Sequence, residues 1–159
     1  MYAVVAIGLM VVVPAASVAI EFLLSQGALY LPLLIGKWFT FWGIGARLLL
    51  AGVNQAVRPG FTAQHIFNIT DQAAESIITE LGFANMAFGL IGLLSLPFPT
   101  SFLTAAAVAG GLFLLLDGIL HMRSRDRSRN ETIALVTDLV IPLATIIYLT
   151  GEFLRRAPG

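Results

Sequence analysis

The chain has 159 residues, 58% of them hydrophobic and only 11% charged, with a mean hydropathy of +0.90. A soluble domain carries roughly 25% charged residues and one of this size cannot bury so much apolar surface, so the composition excludes a water-soluble fold and makes lipid the surrounding solvent. Nine basic residues balance nine acidic ones, which gives nucleic acid no net charge to bind, and the absence of cysteine removes disulfides, thiol nucleophiles and thiolate metal sites.

A helix needs ~20 apolar residues to cross the ~30 Å hydrocarbon core. The first such segment, residues 2–24, has neither a basic n-region nor a cleavage site after its apolar run, so it reads as a retained span rather than a signal peptide. A second runs over about 32–57, with Pro32 suited to its first turn and Arg58-Pro59-Gly60 to end it. The stretch FTAQHIFNIT, residues 61–70, is too short and mixed to cross and predicts an interfacial turn or short helix. A third span covers 71–96, with Thr70 as its N-cap, Asp71 and Glu75 in its first turns, and Gln72, Ser76 and Glu80 forming a polar stripe at i, i+4 spacing. Spans over 100–122 and 132–154 follow, joined by RSRDRSRN, residues 123–130. No repeat or flexible linker divides the chain. The expectation is an all-α fold: a polytopic transmembrane helical bundle of about five membrane-spanning helices in a single domain over 1–159.

Short arginine-rich loops stay cytoplasmic. The loop at 123–130 therefore predicts a cytoplasmic N-terminus and an external C-terminus, although Arg155 and Arg156 pull the other way.

Arg47 lies in the middle of an otherwise apolar run, where an uncompensated charge costs from ~2.5 to more than 10 kcal/mol. Counted at 1.5 Å per residue from the face opposite the arginine loop, Arg47 lies ~22 Å deep, Glu80 ~24 Å, Asp117 ~25 Å and Asp138 ~20 Å. Four ionisable groups on four helices thus share one layer, and Arg47 is expected to be compensated by inward-facing carboxylates, Glu80 first, with Asp117 and Asp138 close by. Asp117 and His121 form an i, i+4 pair, Pro142 frees the carbonyl of Asp138 from its helical bond, and Asn54, Gln55 and Asn85 add neutral polar groups. His121 reads either as a proton relay or as an interfacial histidine near a helix end. Glu80, Asp117, His121 and Asp138 form a metal-ligand set acceptable to iron, manganese or zinc, although no metal-ligand spacing repeats. Haem and nucleotide motifs are missing; His65 sits in a polar turn without an attachment motif.

Glu21 and Glu152 fall at a depth like that of Lys37, as interfacial partners for it, and Tyr30, Trp38 and Trp42 resemble an aromatic belt. Gly43, Gly45, Gly89, Gly92, Gly110 and Gly111 supply small faces for close packing of helices, within the bundle or against a second copy or another membrane protein. Asn68-Ile69-Thr70 and Asn130-Glu131-Thr132 match the glycosylation pattern but fall on the cytoplasmic side.

RLLLAGVNQ in the second span, ELGFAN in the third, GILH at the end of the fourth and TDLVIP in the fifth together resemble an uncharacterised family of small bacterial integral membrane proteins, and more loosely the DoxX-like helical membrane proteins. That resemblance implies an inner (plasma) membrane location and groups Arg47, Glu80, Asn85, His121 and Asp138, without supplying a substrate. Three readings of the cluster follow. It binds or passes a proton, small cation or small polar solute; it only stabilises the bundle of an accessory membrane subunit; or it serves a membrane enzyme acting on a quinone or lipid. No nucleophile or cofactor motif supports the last reading.

Overall fold

A computed structural model of the chain describes residues 2–65, 69–123 and 129–157. Among the described residues the regular structure is entirely helical, and five helices are long and apolar enough to cross a membrane: α1 (Ala3–Leu24), α2 (Leu31–Val57), α4 (Ala74–Leu94), α5 (Thr100–Arg123) and α6 (Arg129–Arg156). A short helix, α3 (Pro59–His65), sits where the mixed stretch after the second span predicts an interfacial element. Residues 66–68 of that stretch, including the Asn68 of the first glycosylation pattern, lie outside the described residues, as do residues 124–128 of the arginine-rich loop.

Two span starts differ from expectation. Thr70 does not cap α4; Ala73 precedes it, and Asp71 Oδ1 accepts the Ala73 N–H at 2.9 Å, so a local turn takes up the acidic side chain first. α6 begins at Arg129 rather than near Thr132, which brings Glu131 into the first helical turn, where a carboxylate complements the helix dipole.

Glycine sets the tightest helix contact. α2 and α4 pair most extensively, along a buried stripe of α4 made by Ile78, Gly82, Asn85, Gly89 and Gly92. A Cβ added to Gly82 would stand 2.9 Å from the Ala56 backbone nitrogen, and one added to Gly45 would stand 2.8 Å from the nitrogen of Leu93. Both contacts are backbone to backbone, so only glycine permits the approach. α5 packs along α6, and the first part of α2 packs on the far end of α6, where Gly36 takes the ring of Tyr148.

Two segments widen from α to π geometry, Gly8–Val12 in α1 and Thr40–Ala46 in α2. The second ends immediately before Arg47, which opens the α-helical continuation of the span. The apolar core lies beside this wide turn: Met10, Ile44, Leu48, Leu114 and Ile141 are each fully buried and pack on one another. Near the end of the bundle away from Arg58, Lys37 Nζ donates to both oxygens of Glu21 at 2.7 and 2.8 Å, and Trp38 Nε1 donates to Glu21 Oε2 at 2.6 Å. Glu152 does not join them; it is buried and receives Arg155 and Arg156 at 3.0 and 3.2 Å.

Candidate functional site

The site grows from Arg47. With the Arg47 side chain only 11% exposed, Nη2 lies 3.4 Å from Oδ1 of the fully buried Asp138 on α6. That contact joins the two spans across 91 positions of sequence. Asp138 Oδ2 points elsewhere and has no hydrogen-bond partner. His121 of α5 lies on that side, with Nε2 4.0 Å from Oδ2. The same Nε2 lies 3.9 Å from Oδ2 of Asp117, one helical turn back on α5. The other ring nitrogen, Nδ1, faces Oε1 of the buried Glu131 at 3.3 Å. His121 is thereby oriented by a carboxylate on one side and faces two carboxylates on the other.

Neutral polar groups come from the glycine contact. Because Gly82 brings α4 onto α2 beside Gln55, Asn85 Nδ2 reaches Gln55 Oε1 at 2.7 Å. Asn85 Oδ1 is buried without a partner. A buried unpaired acceptor costs roughly 1–3 kcal/mol, so two such atoms in one region mark a place prepared for something polar.

Apart from Glu131, these groups line one cavity of about 670 Å³. Seven of the eight residues singled out in the sequence line it: Arg47, Asn54, Gln55, Asn85, Asp117, His121 and Asp138. Arg58, Thr62, Arg129 and Asn130 also line it, which places its mouth at the end of the bundle where α2 ends and α6 begins. Ile44, Leu114 and Ile141 stand three residues beyond Arg47, Asp117 and Asp138 on their own helices, so each charged group is backed by a buried hydrocarbon side chain about one turn deeper.

Glu80 is the exception. It is exposed, does not line the cavity, and shares its face of α4 with the exposed Ile77 and Phe83. The glycine stripe fixes the reason: with Gly82 turned toward α2, a residue two positions away is rotated by ~200° to the opposite side. Arg47 is therefore compensated by Asp138, and the metal-ligand set loses its glutamate. Asp117, His121 and Asp138 remain, each offering one donor atom, all within 4.8 Å of one another. Sequence reasoning missed Glu131, which falls between the loop at 123–130 and the span from 132, although its place ten residues after His121 across a helical hairpin is a usable signal. The side chain of His65, the other histidine weighed for haem, lies outside the described residues.

No curated protein and no solved structure shows significant similarity to the chain. A family model does, over residues 2–156, and with nearly every residue covered the chain belongs to DUF6790, a family of unknown function.

Proposed function

We propose that this integral membrane protein binds a small polar solute in the chamber between α2, α4, α5 and α6, admitting it from the arginine-bearing face. The observation that carries the reading is the cavity itself. Its volume of about 670 Å³ falls in the usual range for small-molecule sites, and convergent polar groups sit on mostly apolar walls. Arg47, Asn85 and Asp138 supply donors and acceptors at the inner end, while Arg58 and Arg129 stand at the mouth. A purely structural cluster has no need of space around it. In the bacterial inner membrane implied by the resemblance of its motifs, with the N-terminus cytoplasmic, the mouth faces the cytoplasm.

The chain has no cysteine, so single cysteines report on the chamber cleanly. Asn54→Cys and Asn85→Cys should react with a membrane-impermeant thiol reagent from one side of the membrane only. Leu116→Cys and Val136→Cys, beside the charged residues but facing outward, should not. Small carboxylates, amino acids and monovalent cations can then be screened for protection of Asn54→Cys. Equal reactivity at chamber and outward positions, or no protection by any solute class, would remove the proposal.

A second reading has its own observation. Val5, Leu50 and Phe61 line the chamber and are 42%, 55% and 40% exposed, so the wall between α1 and α2 also reaches the outer surface of the bundle. That lateral path suits the headgroup of a lipid or quinone. Protection of Asn54→Cys by a short-chain amphiphile, and not by water-soluble solutes, would favour it.

A further inference from the structure

We infer that Asp117, His121 and Asp138 form a binding site for one divalent first-row transition-metal ion at the inner end of the chamber. Their donor atoms come from two helices and converge on one point: Asp117 Oδ2 and Asp138 Oδ2 lie 3.9 and 4.0 Å from His121 Nε2, and all three lie within 4.8 Å of one another.

Convergence alone is a weak argument, because polar side chains cluster for many reasons. Three further features point to a metal. His121 is held from behind: Nδ1 stands 3.3 Å from the Glu131 carboxylate, an acceptor that favours the proton on Nδ1, while Nε2 lies on the side of the two aspartates. Carboxylate–histidine–metal relays have this arrangement. Asp138 is divided in the same way, with Oδ1 held by Arg47 at 3.4 Å and Oδ2 fully buried without a hydrogen-bond partner, directed at the same point. Finally, the spacing suits an ion better than a proton. A shared proton needs donor and acceptor within ~2.7–3.2 Å. Two bonds of ~2.0–2.1 Å to one ion bring donors at these separations together with side-chain movement of about 1 Å or less. Two carboxylate oxygens and one imidazole nitrogen thus offer a cation a convergent set of donors.

The donor set is one imidazole nitrogen and two carboxylate oxygens, which suits Mn²⁺, Fe²⁺, Co²⁺ or Zn²⁺ and is too nitrogen-bearing for a dedicated Mg²⁺ or Ca²⁺ site. With three protein ligands the remaining coordination positions face the cavity. The site is independent of the solute reading, since a metal can bind whether or not the chamber takes a second molecule.

The test uses full-length protein in detergent, treated with chelator and then titrated separately with Mn²⁺, Co²⁺ and Zn²⁺. Bound metal is counted by elemental analysis after gel filtration, and Co²⁺ is also followed by its visible absorption. The expected result is one ion per chain, with a Co²⁺ spectrum of mixed nitrogen and oxygen coordination. Asp117→Asn and His121→Gln should each weaken binding by about 100-fold, and the positioning variant Glu131→Gln by about 10–100-fold. Glu80→Gln should bind as the wild type does. Failure of folded wild-type protein to bind any of the three ions stoichiometrically would overturn the inference, as would binding that both ligand variants leave unchanged. If the ligand variants do not fold, the wild-type stoichiometry and cobalt spectrum decide it alone.

Discussion

Arg47 Nη2 donates to Asp138 Oδ1 at 3.4 Å, so one carboxylate oxygen compensates the guanidinium while the other, Oδ2, is buried without a hydrogen-bond partner. Removing Arg47 takes the guanidinium away from a fully buried carboxylate. Breaking a buried pair costs roughly 3–5 kcal/mol, whereas replacing both members with apolar groups is far milder. Arg47→Ala should therefore lower unfolding stability in detergent by about 3 kcal/mol, and Arg47→Met combined with Asp138→Leu should recover most of that loss. Thermal unfolding of the single and double variants measures it. Additive losses would mean that the two side chains are not coupled.

Gly82 determines whether Gln55 and Asn85 can meet. A methyl at this position stands 2.9 Å from the Ala56 nitrogen, an atom that cannot rotate away. Gly82→Ala should push α2 and α4 apart at a cost of roughly 1–3 kcal/mol and break the 2.7 Å amide contact. Lower thermal stability with increased reactivity of Asn85→Cys in the same background is the expected pair of changes. Unchanged stability would show that the helices have room to spare.

Glu80, six residues into α4 and exposed, should be dispensable to the chamber. Glu80→Gln is expected to leave unfolding and the labelling of Asn54→Cys as in wild type. A loss of either would return this glutamate to the cluster.

Ile44, Leu114 and Ile141 pack against one another about one turn beyond Arg47, Asp117 and Asp138. Shortening one of them opens space as well as weakening the core. Ile141→Ala should destabilise by roughly 2–5 kcal/mol, and proteoliposomes carrying it should leak protons faster than wild type, as read by an entrapped pH dye. A leak rate equal to wild type would place the barrier elsewhere.

Hydropathy and helix punctuation made the five spans legible, because a lipid solvent demands long apolar runs and little else. The grouping of charges was legible as well: counting along each helix put Arg47, Asp117 and Asp138 at a common level, and the three line one cavity. Rotation about the helix axis was not. Glu80 has a comparable depth and the wrong face, and only the packing of Gly82, Gly89 and Gly92 on α2 reveals it. Glu131 was hidden for a different reason. Arginine-rich loop composition masked a helix start that its own carboxylate helps to stabilise.

The layer of Ile44, Leu114 and Ile141 has an electrical consequence. If water fills the vestibule down to Arg47 and Asp138, the membrane potential no longer falls evenly across the full bilayer but drops mainly over this thin septum. Moving one elementary charge through the whole field is worth about 2.3 kcal/mol per 100 mV. A charge crossing only the septum would feel most of that, so a displacement of one or two helical turns could be strongly voltage-dependent.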